Sequence, residues 1–157
     1  MNIYLNDNID LKYVIYQKPI QNKLEMYKNF YKIIYSHPKY TMNYLLIPLI
    51  VSSYNLELYN GKYRLIVNKN DPIFSQIFEI EKNILTSLNM VTKKNIKYQC
   101  IFDLRNKKHF FIFHQIPNLH NLCLKISGVW EDDNNIGIIY KLFYYSSPPY
   151  ESSLSTV

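Results

Sequence analysis

The chain has 157 residues, with 18 Lys plus Arg against 12 Asp plus Glu for a formal charge of +6, and with 16 Tyr and 8 Phe. That length suits one domain with a real core, and the basic excess points toward a polyanionic partner. The longest apolar run, Tyr44 to Val51, is broken by Pro48 and falls short of the about 20 residues a membrane span needs.

The N-terminus, MNIYLNDNIDLK, has no basic segment followed by an apolar one, so no secretory signal is read there. Cys100 and Cys123 are the only cysteines, which fits a reduced, cytoplasmic setting better than a disulfide framework. Alanine is absent and Arg64 and Arg105 are the only arginines, while Asn, Ile, Lys and Tyr abound. An AT-rich coding sequence produces this bias, so part of the Lys and Tyr excess reflects nucleotide composition.

Taken in order, Leu11 to Tyr16 reads as a short strand. Lys23 to Tyr35, KLEMYKNFYKIIY, is a longer strand on which aromatic and cationic residues interleave; an amphipathic helix is its alternative. Ser36 to Tyr40 reads as a loop, and Asn43 to Val51 as a buried strand with Pro48 marking an edge or bulge. Tyr54 to Tyr59 and Lys62 to Val67 flank Asn60-Gly61, a strong hairpin signal. Asp71 then caps a helix that runs to about Met90, with Pro72 in its first turn. Ile73, Phe74, Ile77, Phe78, Ile84, Leu85 and Leu88 fall on one face of it.

Asn95 to Phe102 and His109 to Ile116 read as strands joined at a basic hairpin tip, RNKK. Leu122 to Trp130 alternates with period two, and Ile136 to Tyr145 is rich in β-branched and aromatic residues. The polar run EDDNN between them makes a hairpin that carries the only Trp, with Gly128 and Gly137 marking bends or close approaches. The last residues, 146–157, read as a loose tail. The expected class is α+β, mostly antiparallel β: a small barrel over residues 1–145 with one helix inserted between its strand groups.

Catalytic signals are sparse. There is no Gly-rich phosphate loop, no serine elbow and no helical His pair. His114, His120 and Cys123 have a zinc-like spacing but read as ordinary residues, and Glu131, Asp132 and Asp133 read as a solvated turn. No enzyme activity, metal or cofactor is expected. Single-stranded nucleic acid is held by a basic groove with aromatic rings beneath the bases. Lys28, Phe30, Tyr31 and Lys32 have that interleaved composition; so do Lys62, Tyr63 and Arg64, and Lys97 with Tyr98. Lys107 and Lys108 add charge, and Trp130 is either a core anchor or a stacking platform.

The hairpin motif LKISGVWEDDNNIGIIYKLFY resembles the closing strands of single-stranded-DNA-binding proteins from large cytoplasmic DNA viruses and from virus-like linear DNA plasmids of the cytoplasm. The shared pattern is an apolar strand, Gly-x-Trp, a short polar turn, then Gly-x-x-Tyr-Lys. The resemblance implies an oligonucleotide-binding (OB-like) barrel, a Greek-key fold whose concave face takes a single strand. With the composition it leads to an expected role in replication or recombination; replication proteins and a second copy of the chain are the protein partners considered, and with no span-length apolar run no membrane is expected. The end ESSLSTV, with one acid, departs from the acidic tail by which many such replication proteins recruit partners. The expected ligand is single-stranded DNA, with RNA as the alternative polymer. The competing expectation is a structural protein: a virion component or a subunit of a larger assembly.

Overall fold

A computed structural model of the chain describes residues 10–21 and 29–145. After a 3-10 turn, Leu11–Tyr13, come strands β1 (Val14–Tyr16), β2 (Ile20–Gln21), β3 (Asn29–His37), β4 (Tyr40–Met42), β5 (Leu45–Pro48), β6 (Tyr54–Tyr59) and β7 (Lys62–Val67). Helix α1 (Pro72–Thr92), strand β8 (Asn95–Ile96), helix α2 (Gln99–Asn106) and strand β9 (Phe111–Phe113) come next. A second 3-10 turn, Leu119–Asn121, leads into the long hairpin of β10 (Leu122–Glu131) and β11 (Asn135–Tyr144). The class is α+β, and every described strand pair is antiparallel except β11 with β8.

The larger sheet curls into a half-barrel because β10 has two different neighbours on one edge. Its first half, Cys123 to Ile126, pairs with β5; its second half, Gly128 to Glu131, pairs with β3. β11 runs along the whole of the other edge, and the register shifts between Ile126 and Gly128. Ser127 is the extra residue of a β-bulge, which bends a strand and raises its twist. Alternation then sorts the faces. Leu122, Leu124, Ile126 and Val129 are buried with Ile33, Tyr35, Leu45, Ile136 and Ile138 on the inner face. On the outer face, opposite Phe30 and Lys32 of β3, lie Trp130 and Gly128.

Both β10–β11 glycines exist to admit rings. A Cβ at Gly128 would strike the Phe30 ring and the Tyr31 carbonyl, and one at Gly137 would strike the Trp130 indole. Two aromatics thus lie flat across neighbouring strands on the outer face.

Helix α1 forms as its sequence predicts. The Asp71 Oδ1 accepts the Ile73 N–H at 2.9 Å, while Oδ2 accepts the N–H groups of Ser52 (2.8 Å) and Ser53 (2.6 Å). One carboxylate therefore caps α1 and pins the β5–β6 connection to it. Ile73, Phe74, Ile77, Ile84, Leu85 and Leu88 bury one face in the core, and the Tyr16 hydroxyl of β1 donates to the Ile84 carbonyl at 2.8 Å. At the other end Lys93 adopts the left-handed conformation (φ 53°) and its N–H returns to the Asn89 carbonyl, closing the helix.

Several expected elements differ. The strand expected over Asn95 to Phe102 stops at Ile96, and a second helix, α2, replaces the rest. Its N-cap residue, Tyr98, makes no side-chain capping hydrogen bond. The cap comes instead from α1: buried Glu81 accepts the Cys100 N–H on Oε1 (3.0 Å) and the Ile101 N–H on Oε2 (2.9 Å). RNKK is accordingly the end of a helix and the loop after it rather than a hairpin tip, and there are two helices among the described residues, not one. The expected strand over His109 to Ile116 shortens to Phe111–Phe113, which joins β6 and β7 in a separate three-stranded sheet. Leu11–Tyr13 is a 3-10 turn before the strand begins. The start of the long strand expected from Lys23, and the tail at 146–157, lie outside the described residues.

Leu88→Ala removes packing where α1 meets the core and is expected to cost about 2–5 kcal/mol in denaturant unfolding. Asp71 supplies a pH test. Burial works to raise its carboxyl, but the N–H donors of Ile73, Ser53 and Ser52 outweigh that and hold it below the usual carboxylate range. A depressed acid stabilises the fold above its unfolded pKa and loses that contribution as pH falls through the folded one. Asp71→Asn should cost about 1–2 kcal/mol at pH 7. The gap to the parent chain should narrow in melts taken below about pH 4.

Candidate nucleic-acid interface

Where the two helices meet the small sheet, three grooves adjoin. The first, of about 670 Å3, lies between α1 and α2; Phe74, Phe78, Tyr98 and Phe102 supply its rings, Lys69 and Arg105 its charge. The second, about 250 Å3, shares Lys69, Phe74, Arg105 and Asn106 with the first and adds Lys107, Lys108 and Phe110. The third, about 520 Å3, shares Lys107 and Phe110 and continues past His109, Phe111 and Ile112 to Tyr140 and Lys141 of β11. Joined through these shared lining residues, they form a track whose walls carry both rings and cations.

Helix α2 positions most of this lining. Cys100 and Leu104 face inward, fully buried, so Tyr98, Phe102 and Arg105 are turned toward the groove. Phe102 is 63 % exposed, and the Phe78 and Tyr98 rings stand 5.2 Å apart at 55°. The Lys69 ammonium donates to the Arg105 carbonyl at the end of α2, tying the two walls together. The Tyr140 hydroxyl donates to Asp103 Oδ2 at 2.9 Å; burial and that carboxylate keep the phenol protonated well above its ordinary range.

The electrostatics are one-sided. Among the described residues Asp71 is the only acid lining any of the three grooves, and its carboxylate is buried and already accepts from the backbone of Ile73, Ser52 and Ser53. Five cations therefore face the track without a free counter-charge on its walls. Midway along it, the Nδ1 of His109 is buried with no hydrogen-bond partner among the described residues.

The residues singled out from the sequence divide into several groups. Tyr98, Lys107 and Lys108 line the track, and exposed Lys97 adjoins Tyr98 without lining it. Phe30, Lys32 and Trp130 share the outer face of the half-barrel and line none of these grooves, with Phe30 and Trp130 packed over Gly128 and Gly137. Tyr31 points to the inner face, where its hydroxyl and the Asn29 amide both donate to buried Glu131 Oε1 (3.3 and 2.8 Å). Glu131 is therefore not part of a solvated turn. Tyr63 packs against the core from β7, exposed Lys62 opens β7, and the Arg64 guanidinium sits 3.5 Å over the Tyr59 ring. Lys28 lies outside the described residues.

The sequence reading missed Lys69, Phe78, Phe102, Arg105 and Lys141 as lining residues. A signal existed for three groove residues: read as a helix, 98–106 brings Tyr98, Phe102 and Arg105 to one face. Reading the stretch as a strand dispersed them. Cys100 and Cys123 are both buried free thiols; burial pushes the Cys123 thiol up to about 11, and the Cys100 thiol higher still. Among the described residues no three His, Cys, Asp or Glu side chains come together where a metal ion would sit. No helix among them is long and apolar enough to cross a membrane.

No protein-family model, curated protein or solved structure matches this chain.

Gly128→Ala tests the structural role of the outer-face rings. The added methyl meets backbone as well as ring, so destabilisation of about 1–3 kcal/mol is expected from forced repacking. Thermal melts of the parent and variant chains measure it; an unchanged melting temperature would show that the Phe30 ring does not need the space over Gly128.

Proposed function

We propose that this chain is a non-enzymatic, sequence-tolerant protein that holds single-stranded DNA, with RNA as the alternative polymer, along the helix-lined track. The observation that carries this reading is the lining itself: Lys69, Arg105, Lys107, Lys108 and Lys141 share the groove walls with Phe78, Tyr98, Phe102 and Phe111, and Asp71, the one acid among the described lining residues, is already taken up by backbone N–H groups. Phosphates spaced along a strand need cations at intervals, and unpaired bases need exposed rings between them. A duplex has neither free base faces nor the flexibility to follow a bent track, so single strands are preferred.

The finer fold reading, an OB-like barrel, is supported by the curled sheet, the split neighbours of β10 and the helix between strand groups. The strand's path in this reading is not the inner face of the half-barrel, because α1 shares that core. Replication or recombination of an AT-rich viral or plasmid genome in the cytoplasm is the setting that the resemblance of the β10–β11 hairpin supports.

Fluorescence anisotropy with a short single-stranded oligonucleotide tests the site. The slope of log affinity against log salt should be about −0.7 per phosphate contacted. The double variant Lys107→Ala/Lys108→Ala should make it shallower by about 1.4. Phe102→Leu keeps apolar bulk on an exposed position, so its melting temperature should hold while binding weakens by about 1–3 kcal/mol. Unchanged affinity in both variants would rule out the track.

The second reading, a component of a larger assembly, is favoured by one observation: every residue of strand β6 is exposed.

A further inference from the structure

β6 is an edge strand. Among the described residues it pairs only with β7 in the small sheet, and β9 closes the far side. β7 and β9 bury Leu65, Val67 and Phe113 against the core, but β6 overhangs it, leaving Tyr54 45 %, Leu56 37 % and Leu58 66 % exposed on a single face. An edge strand without a bulge, with an apolar face and no charge on that face, is a pairing template, the arrangement soluble proteins otherwise blunt with lysine, proline or a bulge.

The backbone settles which groups are offered. Asn60 (φ 51°) and Gly61 (φ 74°) form a two-residue turn, so the flanking pair Tyr59–Lys62 is hydrogen-bonded. Counting back by alternation, Asn55, Glu57 and Tyr59 spend their N–H and C=O groups on β7. Tyr54, Leu56 and Leu58 point theirs outward.

We propose that a second copy of this chain pairs with β6, antiparallel, about a two-fold axis at Leu56. In that register Leu56 faces Leu56 of the other copy, Tyr54 faces Leu58, and Asn55 faces Glu57. All outward N–H and C=O groups of Tyr54, Leu56 and Leu58 meet a partner, and the apolar faces join into one surface. The neighbouring register, centred on Glu57, sets two carboxylates directly opposite each other and leaves Tyr54 beyond the partner strand, so like-charge repulsion selects the first. A closed two-fold pair also leaves no free β6 edge to propagate. Nucleic acid does not fit this face: Lys62 and Arg64 project from the opposite one, and the Arg64 guanidinium is already stacked on Tyr59. The inference is independent of the track described above, which β6 does not line.

Sedimentation equilibrium of the full chain, between about 1 and 100 μM, measures the pairing. The parent chain should reach twice its monomer mass. Leu58→Lys should weaken dimerisation at least tenfold while circular dichroism reports an intact fold. Glu57→Lys, opposite a neutral Asn55, should still dimerise. A parent chain that stays monomeric throughout overturns the proposal, as does a Leu58→Lys variant that dimerises normally through some other surface. A monomeric chain whose Leu58→Lys variant loses single-stranded DNA affinity would overturn it too, by giving the edge to nucleic acid.

Discussion

Strand β10 must satisfy three neighbours with two edges. β11 takes one edge whole, so β3 and β5 divide the other, and the strand has to bend where they meet. The bulge at Ser127 supplies the bend, and the sheet on either side curls with it. The placement of both helices depends on that curl. A flat sheet would present its inner face to a helix along a line; a half-barrel gives α1 a trough in which Ile77, Ile84 and Leu85 are fully buried. With α1 seated there, α2 and the small sheet have only the rim of the trough to pack on. The gaps left along that rim are the track.

Two carboxylates fix the rim, and both act on backbone rather than on cations. Asp71 gathers N–H groups from the β5–β6 connection and from its own helix; Glu81 reaches across to hold the start of α2. The two are tuned in opposite senses. Burial raises the Glu81 carboxyl, with the Cys100 and Ile101 donors offsetting only part of it, whereas at Asp71 the donors prevail. Glu81 thus holds α2 while its own ionised form is disfavoured by its surroundings. It leaves the groove cations uncompensated, since its carboxyl is buried and turned to the backbone of α2.

The fold was legible in the sequence wherever the deciding forces were local. The Asn60-Gly61 turn and the Asp71-Pro72 start of α1 each carry their own explanation within a few residues, and each stands where it was expected; the period-two alternation of β10 holds only to Ile126, after which the bulge at Ser127 puts Val129 inside and Gly128 and Trp130 outside. Helix α2 was illegible because the carboxylate that caps it belongs to Glu81, 18 residues before Gln99 and on another element. A segment whose own N-cap residue makes no capping hydrogen bond gives no local signal of a helix start. The site suffered for the same reason. Tyr98, Lys107 and Lys108 were found from composition, but Phe102 and Arg105 join them only once the segment is wound into a helix. Phe30 and Trp130 share their composition with a binding patch, and only the glycines beside them reveal that the rings fill space a side chain would otherwise take.

The single tryptophan has an experimental consequence. Its indole rests on the backbone of Gly137, on the outer face and outside the groove lining, so it senses the integrity of the β10–β11 hairpin. Intrinsic emission excited at the red edge therefore reports the central strand pair without an introduced dye. A ligand in the track would alter tyrosine emission, from Tyr98 and Tyr140, before it altered that of Trp130. The two fluorophore classes separate occupancy from unfolding within one unlabelled sample.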